Sequence, residues 1–243
     1  MTEHFFLSSF TWFLLSFFLI VPFFEWTLHS QVMHAKPFGI FRYAHRAHEI
    51  VHHGTFRANS TYHLQDVADK ATIPMAWWNA PVLILIGEIP FVLLSWFYGW
   101  ENGIWAGSLL AYSLYYVAYE YMHWCMHLPK AKRRLIERWW IFKKLNGHHL
   151  LHHFRMRKNY NVVVPIADLC LGTLLLRAPV IFKQPTGESV PNVQPIDQVT
   201  APTDQIRCAK KNIWWTERLV TWLMDHHPVP WLMEKIKKVL NFA

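Results

Sequence analysis

Residues 5–24 contain no charged side chain, residues 77–98 contain one, Glu88, and residues 103–119 again contain none. No other feature of the chain narrows its fold as far. A helix that crosses a bilayer needs about 20 predominantly apolar residues, because the hydrocarbon layer is about 30 Å thick and each residue advances about 1.5 Å. The first two runs meet that length, and the third meets it if it continues through Glu120 to Cys125. The expectation is an all-α integral membrane protein with three transmembrane helices, or four, at about 5–24, 77–98 and 103–125. No Lys or Arg precedes the first run and no small-x-small cleavage site follows it, so it reads as an anchor and not a signal peptide. Pro81, Gly87 and Pro90 predict a kinked middle helix.

Charge gives the topology. All 24 Lys and Arg lie after residue 35, and none lies between Lys70 and Lys130. The turn at 99–102 holds Glu101 and no cation. Three spans would put the N-terminus and that turn on one side, with 29–75 and 127–243 on the other. An excess of Lys and Arg marks the cytoplasmic side. The formal charge of +8 then reads as orientation and attraction to anionic headgroups. No nucleic-acid recognition motif accompanies it, so nucleic acid is not an expected partner. The chain reads as one domain over 1–243: the spans, a cytosolic histidine-rich helical cap at 29–75 and 127–182, and an interfacial amphipathic tail at 183–243. Within the cap, Lys130–Lys158 sets ten cations against the single acid Glu137, interleaved with Trp139, Trp140 and Phe142, which suits the headgroup boundary. The tail opens on a Pro-rich connection and holds two short amphipathic helices, Ile213–Met224 and Trp231–Phe242. Cys125, Cys170 and Cys208 show no CxxC spacing and read as reduced thiols.

Twelve of the 16 histidines fall in two clusters, and each cluster follows an apolar run. The first holds His29, His34, His45, His48, His52 and His53; the second holds His123, His127, His148, His149, His152 and His153. Each begins as a spaced pair and ends in a doublet. With three spans both clusters emerge on one face, the basic one. Neutral imidazole is the commonest protein ligand for borderline metals such as iron and zinc. His123 and His127 are four residues apart, so on a helix they point within about 40° of each other and can grip one ion. In the HxxHH of His149, His152 and His153, positions three and four apart share a face, and one turn offers ligands to two neighbouring ions. His29 and His34 are five apart, about 140° around an ideal helix, and would serve different metals unless the helix ends or bulges there. His48 and His52 lie one turn apart, with His53 completing HxxxHH. His45 competes with His48 as the ligand; spacing favours His48 and leaves His45 as the alternative. His148 precedes the HxxHH register and reads as bracing a neighbouring ligand. Ten histidines and no cysteine exceed what a structural zinc site uses. They suffice for two ions with open positions, the usual arrangement for activating dioxygen on iron.

These residues resemble the membrane fatty acid hydroxylase/sterol desaturase superfamily. Its histidine boxes run Hx(3–4)H, HxxHH, HxxxH and HxxHH. Here they are His29-x4-His34, His48-x3-His52-His53, His123-x3-His127 and His149-x2-His152-His153. The segment 159–173, with Asp168 and its Gly-Thr ending, is similar to the stretch that follows the family's last box, as are the lead-ins Glu25-Trp26 and Glu120-Tyr121. The likeness covers about residues 20–175. The second box departs from the usual HxxHH, and a basic-aromatic insert separates His127 from His149.

The resemblance implies a membrane-bound O₂-dependent oxidoreductase that hydroxylates an unactivated C–H bond of a fatty acyl, sterol or isoprenoid chain. Its ten ligands would be His29, His34, His48, His52, His53, His123, His127, His149, His152 and His153. They would hold two Fe ions, with zinc as a substitute acquired on purification and O₂ as co-substrate. Its partners would be a membrane lipid and a separate electron donor, cytochrome b5-like or a ferredoxin with its reductase. The catalytic face would be cytoplasmic, in a bacterial inner membrane or the endoplasmic reticulum. A desaturase on the same di-iron core and a non-catalytic metal-binding membrane sensor are the competing readings. A transporter should carry polar ligands at mid-membrane depth, and beyond Glu88 the apolar runs have almost none.

Overall fold

The computed structural model describes residues 3–35, 39–133 and 135–177. The amphipathic tail at 183–243, with its two short helices and Cys208, lies outside the described residues, as does the end of the cap beyond 177. Among the described residues the fold is all helical, without strands. Six helices carry it: α1 (Glu3–Met33), α2 (42–55), α3 (Asn79–Tyr98), α4 (Ile104–His127), α5 (Trp140–Phe154) and the short α6 (Ile166–Cys170).

Helix α4 is the central post, with α1 and α3 packed along it. Small residues permit the close approach. A Cβ on Gly107 of α4 would collide with the Ser9 carbonyl of α1, and one on Gly87 of α3 would collide with the Tyr112 ring. Phe17 of α1 and Phe91 of α3 lie against Tyr115 and Tyr112 of α4 at ring separations of 5.2 and 6.1 Å. The buried side of α3 is Gly87, Glu88, Phe91 and Ser95, while Leu85, Ile86, Ile89 and Leu93 face outward. The outside of this bundle is thus more apolar than its inside. Glu88 accepts a hydrogen bond from Ser108 Oγ at 2.6 Å, so it ties α3 to α4.

Among the described residues two helices, α1 and α3, are long and apolar enough to cross a membrane. Three such helices were expected. The third run does form a helix of 24 residues, but half of its side chains are buried and several are polar or histidine, which lowers its hydropathy. Helix α3 is continuous through Pro90. Cys125 and Cys170 are free thiols, as expected.

Beyond the bundle, α2, α5 and the segment 155–175 close over the ends of α1 and α4. The backbone N–H of Leu64 donates to the last carbonyl of α4, that of His127, at 2.7 Å. Arg133 Nη1 caps the same end by donating to the Cys125 and Met126 carbonyls at 3.0 and 2.9 Å. A cation is favoured at a helix C-terminus, where carbonyls lack intrahelical partners.

Candidate metal centre

The last turn of α1 is wound as a π-helix, Leu28–Met33, and the N–H of His34 donates to the carbonyl of His29 at 3.1 Å. An i→i+5 bond brings residues five apart onto one face, which an α-helix does for residues four apart. The rings of His29 and His34 therefore stack at 5.0 Å, and the separation onto two metals expected of an ideal helix does not occur. Helix α2 repeats the device. Its segment Arg46–His52 is π-helical and His53 N–H donates to the His48 carbonyl, which brings His53 within reach of His48, whose ring also stacks on His52 at 5.1 Å.

Ten imidazoles meet in two groups of five. His29, His34, His48, His53 and His152 form the first; His52, His123, His127, His149 and His153 form the second. Within each group the five facing nitrogens lie within 4.8 Å of one another. Adjacent side chains on a helix diverge by about 100°. The doublets His52-His53 and His152-His153 thus straddle the seam, each giving one ring to either group. The groups abut, with His53 stacked on His153 at 4.2 Å.

The opposite edge of most rings is anchored. Nδ1 of His29 donates to the Tyr160 carbonyl at 2.5 Å, and Nδ1 of His152 to the Lys158 carbonyl at 2.8 Å. His52 donates to Thr72 at 3.1 Å, His127 to Tyr62 at 2.8 Å and His153 to Phe56 at 2.5 Å, again to carbonyl oxygens. His34 Nδ1 is paired with the Glu49 carboxylate. A carbonyl can only accept, so each of these rings carries its proton on Nδ1 and a lone pair on Nε2. Such partners orient a metal-bound imidazole and raise its basicity. His53, His123 and His149 have no Nδ1 partner among the described residues, and ring packing sets them, as where His123 stacks on Tyr119 at 5.7 Å.

The inward edges make the fit test. His34 Nε2 and His152 Nε2 face each other at 3.2 Å, and both of these nitrogens bear lone pairs. The other inward contacts are equally short, 2.8 Å for His29 with His48 and 3.1 Å for His149 with His153. Protonation is not the remedy, because burial holds the rings neutral. It lowers His52 from 6.5 to about 3 and drives His34, His48, His53, His149, His152 and His153 well below the usual imidazole value. Two buried lone pairs facing each other, as at His34 and His152, are costly unless a cation sits between them. The two groups have the composition and geometry to hold metal ions.

A polar frame surrounds them. Asp168 of α6 accepts from Tyr160 N–H at 2.9 Å and Asn161 N–H at 2.7 Å. It also accepts from Thr173 Oγ1 at 2.6 Å and pairs with His148 Nε2 at 3.2 Å. Burial alone would raise its carboxyl, but hydrogen bonds, from His148 first, outweigh it and the net shift is downward. This loop carries the Lys158 and Tyr160 carbonyls that hold two rings of the first group. Asn159 adopts the left-handed conformation at φ 58°, and its amide bridges the His148 and Leu175 carbonyls at 3.0 and 2.9 Å. Glu25 ties the loop to α1 by accepting from Val162 N–H at 2.7 Å and Asn161 Nδ2 at 2.9 Å.

His45, the alternative to His48, belongs to neither group and pairs with the Met33 carbonyl at 3.0 Å, bracing the end of α1. His148 also lies in neither group. Sequence reasoning missed Glu49; an acid planted among histidines was its signal, since ligating imidazoles are commonly held by carboxylates.

Two cavities reach the centre. One, between α1, α3 and α4, is lined by Phe24, Leu83, Ile84, Tyr112 and Tyr116 and extends to His29. The other, under α2, is lined by Tyr43, Thr72 and Asn79 and extends to His48, His52 and His123. Compared with protein-family models, curated proteins and solved structures, the chain matches none.

Proposed function

We propose that this chain is an integral membrane, di-iron, O₂-dependent lipid hydroxylase. The observation that carries the reading is the convergence of ten neutral imidazoles in two abutting groups, at the inner end of a cavity between apolar helices. Helices α1 and α3 would span the bilayer, with α4 as the third member of the bundle. Trp77 and Trp78 at one end of α3 and Trp96, Tyr98 and Trp100 at the other are exposed, as interfacial aromatic belts are. The basic cap would face the cytoplasm.

Five nitrogens per ion, with no thiolate, suit iron better than a four-coordinate structural zinc site. Iron bound by these residues would supply O₂ activation. Hydroxylation balances as one O₂, one C–H bond, two protons and two electrons giving one C–OH and one water. The two electrons come from a separate one-electron carrier protein. The residues of the chain do the rest. His29, His34, His48, His53 and His152 would hold one ion, and His52, His123, His127, His149 and His153 the other. Backbone carbonyls and Glu49 keep each proton on Nδ1, so that Nε2 stays available for metal. The apolar cavity presents a lipid C–H bond to the centre and excludes water, which limits wasteful reactions of the oxidant.

Anaerobic reconstitution of the detergent-purified protein with ferrous iron tests the reading. Two ions per chain are expected, with one lost in His152→Ala and the other in His123→Ala. Comparison of host lipids with and without the gene should show a species heavier by one oxygen. A loss of two hydrogens would make the enzyme a desaturase instead. An unchanged lipidome under air with a competent electron donor, alongside full iron loading, would replace catalysis with metal sensing.

A further inference from the structure

The two cavities are not independent: Met33, Met75 and Tyr119 line both. The first is walled almost entirely by apolar side chains, and its one carboxylate, Glu25, is occupied by Tyr115, Asn161 and Val162. The second includes the polar residues Tyr43, Thr72 and Asn79, with no Lys, Arg, Asp or Glu in its lining; the Thr72 hydroxyl donates to the Asp69 carbonyl at 2.7 Å and retains its acceptor lone pairs. An ammonium group brought there would be a desolvated charge with no carboxylate beside it and, by the proposed metal centre, cations close by, which is costly. A hydroxyl or amide would find both donors and acceptors.

The geometry points to a two-part binding site for a long-chain amphiphile with a small polar end that carries no positive charge. The chain lies in the cavity between α1, α3 and α4, the polar end lies by Tyr43, Thr72 and Asn79, and Met33, Met75 and Tyr119 form the constriction between them. This assignment deepens the lipid-oxidation reading and rests on it for its chemistry. Its consequence is positional. His29 borders the chain side, and His48, His52 and His123 border the polar side. The stretch of ligand against the histidines is therefore the part next to the polar group, and the far end of the chain is held away from them. Met33, Met75 and Tyr119 become the residues that decide which carbon is presented.

Photolabelling of the full chain in nanodiscs, loaded with redox-inert zinc, tests this without turnover. Two hexadecanol probes are used, one with a diazirine beside the hydroxyl and one with it beside the terminal methyl. The first should label Tyr43, Thr72 or Asn79, and the second Phe24, Leu83 or Ile84. Met75→Trp should abolish the first pattern and keep the second, with bound zinc unchanged. Excess hexadecanol should erase both patterns, and excess hexadecylammonium neither. Reversed labels, identical labels from the two probes, or labelling outside both cavities would overturn the assignment. So would full labelling of both cavities in Met75→Trp, or competition by the ammonium equal to that by the alcohol. Because labelling needs neither O₂ nor electrons, a failure of catalysis leaves its result standing. An oxidation product bearing its new oxygen at the methyl end would defeat the orientation while preserving the enzyme.

Discussion

Replacing Glu49 with Gln separates the two groups of imidazoles energetically. The Glu49 carboxylate pairs with Nδ1 of His34 and with none of the five rings of the second group. Among the described residues it is the single carboxylate that holds a ring of either group; the other anchored rings lean on backbone carbonyls. Gln keeps an acceptor oxygen for the His34 N–H but removes the negative charge that increases the basicity of Nε2. Loss of such a partner typically weakens metal affinity about 10–100-fold, or about 1.4–2.8 kcal/mol. One ligand of five in one group is affected, so the loss should fall on one ion only. Competition against a chelator, followed as two successive metal-release steps, reads this out: one midpoint should shift by one to two decades and the other stay in place. Glu49→Ala, which also removes the acceptor, should shift the same step further. Equal weakening of both steps would mean that the groups do not act as separate sites. No shift in either would mean that the His34–Glu49 pair has no part in holding metal.

Other outcomes follow from the same geometry. His48→Ala should remove one ion, whereas His45→Ala should retain both, as elemental analysis would report; retention of both by His48→Ala would restore His45 as the ligand. Asp168→Ala leaves buried donors on Tyr160, Asn161 and Thr173 without an acceptor, at about 1–3 kcal/mol each. It also frees the loop whose carbonyls hold His29 and His152. A loss of at least about 3 kcal/mol in thermal or chemical unfolding is expected, with the first group losing metal before the second. A wild-type midpoint would argue that the loop is held elsewhere. In metal-free protein, burial lowers His52 from 6.5 to about 3. Between those values the unfolded chain binds a proton that the native state refuses. Stability is therefore whole above pH 6.5 and falls as pH drops, by about 1.4 kcal/mol per unit for each such imidazole. Glu49, whose carboxyl burial raises to about 7, acts in the opposite sense, but the lowered imidazoles outnumber it, so denaturation midpoints should decline as pH falls below 6.5; midpoints that keep rising below that pH would contradict the burial of the rings.

Much of this molecule is written in local pattern. The runs at 5–24 and 77–98 are apolar beyond what a soluble helix needs, and length with absence of charge suffices to predict α1 and α3. The i,i+4 spacing of His123 and His127 puts both on one side of α4, because an α-helix nearly repeats after four residues. The pairing of a spaced couple with a doublet, twice over, marks the ten imidazoles as one constellation.

Other features depend on tertiary structure, because they arise from winding and packing that no local periodicity encodes. Whether His29 and His34 share a group turns on a π-helical turn at the end of α1, and the pairing of His48 with His53 turns on the same winding in α2. An ideal α-helix would give the opposite answer in both places. The role of Glu49 depends on a contact between helices, and that of Asp168 on a loop folded back over the site. The sequence alone determined that this chain gathers histidines beside apolar helices. Only the folded chain decided which rings face which, because a side chain's direction is set by the turn beneath it and its partner by whatever packs against that turn.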